Sequence, residues 1–153
     1  MKMSAGKTPT VQRRQRFRIE VSFQVRYRVQ GRPSPQRAQA LDVSSGGMRI
    51  RTKMDIPLNT PLEIEFILPM APLEILIPEP AHPDAPKAAM PEHMAPFGVL
   101  KAAAIAKTEL PQDGQWRLYG LEFRKIQPFM RDELTRYIHL YQLAQLRVRR
   151  AEV

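Results

Sequence analysis

From Ile19 the chain alternates without a break. Ile19, Val21, Phe23, Val25, Tyr27 and Val29 take one parity, and Glu20, Ser22, Gln24, Arg26, Arg28 and Gln30 the other. A period of two puts each set on its own side of an extended backbone. The β-branched and aromatic residues of the apolar set suit a pleated surface packed on one face. The stretch predicts a long strand with one dry and one wet side. One strand cannot bury its dry side alone, so the chain must supply others to close over it.

Further strands follow in order. "GRPSPQ" marks a turn. "AQALDVS" and "GMRIRTK" read as two short strands around "SSGG", and "PLEIEFILP" alternates again through Leu62, Ile64, Phe66 and Leu68. "LEILI" either extends that strand or forms one of its own. Eight prolines between Pro69 and Pro96 mark an extended insertion over 78–98, read as a variable loop rather than a partner-binding one. "VLKAAAIAKTEL" and "QWRLYGLEF" then read as a hairpin turning at "PQDG". From Pro128 the period becomes helical. Met130, Leu134, Tyr137, Ile138, Tyr141, Ala144 and Val148 share a face, which Leu140 and Leu143 widen. Pro128 suits a first turn, acidic residues follow in that turn, and arginines gather at the C-terminal end, where the helix dipole favours them. Six strands and then a helix predict a mainly β chain, a sandwich or a barrel. The divisions are a basic arm over 1–12, a β-domain over 13–127 and a helix over 128–150. The helix packs across the strands or serves self-association as a homodimer.

Composition narrows the function. The chain has no cysteine, which removes a disulfide framework, a thiolate-bound zinc and a thiol nucleophile. His82, His93 and His139 lack metal-ligand spacing. There is no nucleophile elbow and no Gly-rich phosphate loop, so neither an enzyme nor a metal or cofactor is expected. The N-terminal residues lack a signal peptide's apolar core. The most apolar window, "LEIEFILPMAPLEILI", is broken by Pro69, Pro72 and three glutamates and cannot span a membrane. A cytoplasmic protein is expected. The net charge is +9, which favours an anionic partner. Residues 1–18 carry six cations and no acid, and "LRVRRAEV" holds a second basic cluster.

The densest charge, Arg13, Arg14, Arg16 and Arg18, stands at the lip of the first strand. One strand later comes "LDVSSGGMRIR". Asp42 and Ser44 lie two apart and share the outer face, while Leu41 and Val43 point inward. Gly46 and Gly47 permit positive φ or a close approach of backbone. Taken singly, a basic run before a strand is a solvated or edge-protecting feature, and D-x-S-x-x-G is a hairpin turn with a side-chain cap. Together, R-x-x-x-R over Arg14–Arg18 and D-x-S-x-x-G over Asp42–Gly47 resemble the PilZ domain family, the bacterial receptors for cyclic di-GMP. "YGLEF" is similar to that family's G-x-x-F element. The resemblance runs from about Gln12 to Ile126. It implies a six-stranded antiparallel PilZ-type β-barrel with a C-terminal α-helix, and an arginine arm that folds over a nucleotide on the outer face. It implies Arg14, Arg18, Asp42, Ser44 and Gly47 as ligand-binding residues. Arg13 matches a position associated with binding an intercalated dimer of the ligand.

The chemistry agrees. A guanidinium is a rigid fork that fits a phosphate or the O6/N7 edge of guanine, and it stacks on purines. A carboxylate at Asp42 accepts from the N1–H and N2–H of guanine. Arg16 has no assigned role, Phe17 is read as an anchor for the arm, and Trp116 as strand packing. The expected function is a non-enzymatic cyclic di-GMP receptor that orders its arm and signals to a partner protein in motility, biofilm or exopolysaccharide control. One alternative is a basic barrel binding nucleic acid, which the scarcity of exposed aromatics disfavours. Another is a ligand-independent scaffold, which the intact motifs disfavour.

Overall fold

The computed structural model of the chain describes residues 17–77 and 97–152. Arg13, Arg14, Arg16 and most of the predicted insertion at 78–98 lie outside the described residues. The strands are β1 (Arg18–Val29), β2 (Gln36–Ser44), β3 (Gly47–Thr52), β4 (Pro61–Phe66), β5 (Leu100–Asp113) and β6 (Trp116–Ile126). All pair antiparallel and close into one barrel in the order β1-β2-β3-β6-β5-β4, with β4 returning to β1. Closure leaves no open sheet edge and answers the demand that β1 makes for partners. All six apolar residues of its alternation are buried. Inside the barrel, Phe66 lies between Phe23 and Phe123, with ring centroids 5.5 and 6.5 Å away. Further along the core the Tyr27 hydroxyl bonds the Thr52 hydroxyl at 2.9 Å, and the Tyr119 hydroxyl accepts the Ile56 N–H at 3.0 Å.

Two predicted elements differ. The segment around "LEILI" is no strand: Ala71–Leu76 forms a 3-10 helix with a proline in its first turn. Pro69 and Pro72 have no N–H to give a ladder, so β4 stops at Phe66 and the chain coils instead. Leu73 is its fully buried residue. The β5–β6 hairpin does not turn at "PQDG". Pro111 and Gln112 belong to β5, and Asp113 pairs with Trp116 across Gly114 and Gln115. Gly114 has φ +65°, the left-handed backbone that the first central position of a two-residue hairpin requires.

Helix α1 (Pro128–Glu152) spends its predicted apolar face on its own barrel. Leu134, Tyr137, Ile138, Leu140 and Ala144 are buried, with Met130 and Tyr141 packed beside them. The Tyr137 hydroxyl donates to the Pro69 carbonyl at 2.6 Å, and its ring meets Phe97 edge-on at 5.2 Å. The Tyr141 hydroxyl donates to the Glu20 carbonyl at 2.5 Å, tying the helix to the start of β1. The first turn carries no acidic residue, contrary to expectation; Asp132 and Glu133 come one turn later. Leu143 and Leu146 remain exposed. Among the described residues, no helix is long and apolar enough to cross a membrane.

Burial pushes the Tyr137 phenol well above its ordinary value, and it raises Tyr27 as well. Burial favours the neutral phenol, so this stabilisation is complete below the unfolded value near pH ~10 and is lost as pH rises through the folded values. Urea unfolding between about pH 8 and 11 should show stability falling on the alkaline side. Tyr137→Phe should flatten that fall while costing about 1 kcal/mol at neutral pH through the lost Pro69 bond. An unchanged alkaline slope in the variant would show that Tyr137 is not the titrating group.

Candidate functional site

On the path to the outer face, β2 leaves register with β3. Ala40 pairs with Ile50, but Asp42 pairs with Arg49, so Leu41 is one residue too many. Before this bulge Ala38 and Ala40 point into the core; after it Val43 does, fully buried opposite Met48. Without the bulge, Asp42 and Ser44 would continue the parity of the two alanines into the barrel interior. The bulge returns them to the outer side, as the sequence reading requires. Leu41, predicted to point inward, is the bulge residue and is only half-buried. Asp42 and Ser44 do not stand out from the surface either. Each is 5% exposed, sunk into the face rather than raised on it.

Asp42 sits between two guanidinium groups from neighbouring strands. Arg18 Nε, at the start of β1, is 3.8 Å from Oδ1, and Arg49 Nε, on β3, is 3.6 Å from Oδ2. Both separations are ion pairs, too long for hydrogen bonds. Among the described residues, the carboxylate accepts one hydrogen bond of normal length, from the Arg49 backbone N–H to Oδ1 at 3.0 Å. An ionised carboxylate has room for about four. Asp42 is thus compensated in charge, oriented by the backbone, and short of donors. The flanking arginine side chains are themselves about half exposed.

Arg49 did not stand out in the sequence, although a signal for it exists. Ser44 pairs with Gly47 around a two-residue turn. Counting outward from that pair brings position 49 opposite position 42. The other motif residues serve the hairpin. Ser44 Oγ accepts the Gly46 N–H at 3.2 Å and lies 3.4 Å from the Gly47 carbonyl, which is the side-chain-capped turn. Neither Gly46 nor Gly47 has positive φ. Gly47 is there for close approach: a Cβ would fall 2.0 Å from the Leu121 carbonyl oxygen of β6. The structure therefore brings Arg18, Asp42, Ser44 and Gly47 together and adds Arg49.

Two sequence readings fail. Phe17, the supposed anchor of the arm, is 59% exposed. Trp116 is not simple strand packing. It is half-buried on the outer side of β6, with the Arg51 guanidinium 4.9 Å and Lys53 Nζ 5.1 Å from its ring centroid. Arg26, on the same exposed side of β1 as Arg18 but toward its other end, pairs with Glu65 at 3.5 Å.

The PilZ domain family model matches residues 12–78, the stretch that holds both motifs and β1 to β4. Over those residues the chain is similar to PilZ domains. No curated protein sequence matches it significantly. Among solved structures it is similar to the Bacillus subtilis inhibitor of motility MotI/DgrA, with TM-score 0.58 and 15% identity over 84% of this chain and 51% of that one. It is similar to the PilZ domain of YcgR from Escherichia coli with c-di-GMP, with TM-score 0.57 and 18% identity over 92% and 99%. A structure of YcgR in complex with c-di-GMP gives TM-score 0.56 and 16% identity over 92% of this chain and 50% of that one. The chain thus spans about half the length of MotI/DgrA and nearly all of the isolated YcgR PilZ domain. These likenesses establish the PilZ barrel.

The hairpin makes a stability prediction that separates packing from recognition. Gly47→Ala should cost about 1–3 kcal/mol through the clash with β6. Ser44→Ala should cost about 1 kcal/mol through the lost turn bonds. Thermal or urea unfolding reads both. Wild-type stability in Gly47→Ala would show that β3 and β6 separate freely enough to admit the methyl group.

Proposed function

We propose that this chain is a non-enzymatic receptor for cyclic di-GMP, with the nucleotide held on the outer face of β1, β2 and β3. The observation that carries the reading is Asp42: buried, flanked by Arg18 and Arg49, and with acceptor capacity unspent. The N1–H and N2–H of guanine are adjacent donors that suit one carboxylate. Arg18 and Arg49 offer forks for the two phosphodiesters or for a guanine O6/N7 edge. Arg14 and Arg13 would reach the ligand from the arm, and Arg13 would set whether one copy or an intercalated dimer binds. Ser44 and Gly47 contribute by fixing the hairpin that aims Asp42. The PilZ family match and the likeness to YcgR with c-di-GMP support this reading. Ordering of the arm over the barrel would change the surface offered to a partner protein, in the cytoplasm, in control of motility, biofilm or exopolysaccharide.

Isothermal titration with cyclic di-GMP should give saturable binding. A hydrogen bond to a charged group is worth about 1.5–3 kcal/mol. Arg14→Ala, Arg18→Ala, Asp42→Ala and Arg49→Gln should therefore each weaken affinity about tenfold or more, and Arg13→Ala should halve the stoichiometry if a dimer binds. Absence of saturable heat from the folded wild-type chain would end the proposal. A mixed-sequence oligonucleotide bound tightly, with a steep loss on adding salt, would point to nucleic acid instead. Pairing of two copies through α1 is a separate part of the proposal and rests on the exposed Leu143 and Leu146. Sedimentation should show a dimer that Leu146→Glu dissociates; a wild-type monomer at high concentration rejects it.

A further inference from the structure

We propose that Arg51 and Trp116 form a stacking position for a purine base on the same outer face, one rung along from Asp42 and Arg49. The inference rests on the cyclic di-GMP reading and assigns it residues outside both motifs. Arg49 and Arg51 lie two apart on β3, so they share a side and stand about 7 Å from each other along the strand. In register, Arg49 faces Gly120 and Arg51 faces Leu118 on β6. Trp116 has the same parity as Leu118 and Gly120 and so completes the row. Gly120 carries no side chain on the Arg49 rung, and the Thr108 hydroxyl lies 2.6 Å from where its Cβ would be.

Arg51 is held where a base can use it. Its Nε donates to Gln39 Oε1 at 2.8 Å, and the Gln39 amide in turn donates to the Ser22 hydroxyl. Its guanidinium lies 4.9 Å from the centroid of the Trp116 ring. One edge and one face of a flat cation are thereby fixed, and the entropy of ordering a long side chain is spent before any ligand arrives. The partner at its edge is a neutral amide. The nearby acids Asp55 and Glu109 pair instead with Arg117, each at 3.6 Å. Among the described residues, no carboxylate pairs with Arg51. Its second face and its terminal nitrogens suit a purine and an adjoining phosphate, giving a stack of indole, guanidinium and base. Asp42 reads the edge of one guanine; this rung stacks a second one, from the same ligand or from the second copy of an intercalated dimer.

Trp116 is the chain's only tryptophan, so its emission reports on this rung directly. The full chain is titrated with cyclic di-GMP while heat and tryptophan emission are recorded. The proposal expects a saturable emission change with the same midpoint as the heat. It expects Arg51→Gln to melt like the wild type, bind about tenfold more weakly, and lose the emission change. Arg51→Lys, which keeps the charge but not the plane, should also lose the emission change. Wild-type affinity in Arg51→Gln, or heat without any emission change, overturns the stack and leaves the receptor reading standing. An emission change that survives in Arg51→Gln overturns it too, since the signal then comes from a movement elsewhere. Neither heat nor emission change overturns the receptor reading and the stack together.

Discussion

Between Ala40 and Asp42, β2 holds one residue more than β3, and the outer face of the barrel depends on that residue. Ahead of it the small side chains of Ala38 and Ala40 line the interior. A carboxylate on that parity would be an unpaired charge in an apolar core, at a cost of several kcal/mol. Leu41 absorbs the offset. Val43 takes the core position, and Asp42 turns outward between Arg18 and Arg49, deep enough to be sheltered and near enough to the surface to be met. Bulges commonly re-aim a side chain beside a site, and here the re-aimed group is the one with unspent hydrogen-bonding capacity.

The helix is tied to the same place. Glu20 pairs with Asp42 across β1 and β2, and the Glu20 carbonyl accepts the hydroxyl of Tyr141 from α1. Just beyond Glu20 the pairing of β1 with β2 slips by a residue before Phe23, so this carbonyl sits where the ladder is interrupted. Arg18, two residues earlier, begins the strand. A ligand that draws Arg18 and the arm across Asp42 would act within two residues of the point where α1 is pinned. That gives the proposed receptor a short physical route from nucleotide to helix, through backbone rather than through a chain of surface contacts.

What the sequence made legible was periodicity. The alternation of β1 and the 3.6-residue stripe of α1 are long and uninterrupted, and the burial of Ile19 to Val29 and of Leu134, Tyr137, Ile138 and Ala144 follows them. What it hid was phase. Leu41 is an ordinary strand residue, and nothing in its chemistry marks it as the extra one. "LEILI" alternates, yet two prolines without N–H groups deny it a ladder. Arg49 and Trp116 were hidden for another reason. Their proposed roles come from cross-strand pairing, which a linear reading recovers only after the turn between Ser44 and Gly47 has been fixed to two residues.

The D-x-S-x-x-G segment then divides by physical role. Ser44 spends its hydroxyl on Gly46 and Gly47, and Gly47 makes room for the Leu121 carbonyl; both requirements exist before any ligand arrives. Among the described residues, Asp42 is the member of the segment that keeps capacity beyond what the fold uses. Loss of binding on changing Ser44 or Gly47 therefore reports first on the hairpin and only through it on the ligand. Under the proposed receptor reading, a change at Asp42 would act on recognition directly, and its neighbours add a second effect. Removing the carboxylate leaves the Arg18 and Arg49 guanidinium groups facing each other without the charge that balances them. Part of any effect then belongs to the repulsion of two cations, and the pairwise cycle of Asp42 with Arg49 is what separates that part from the proposed contact with a guanine.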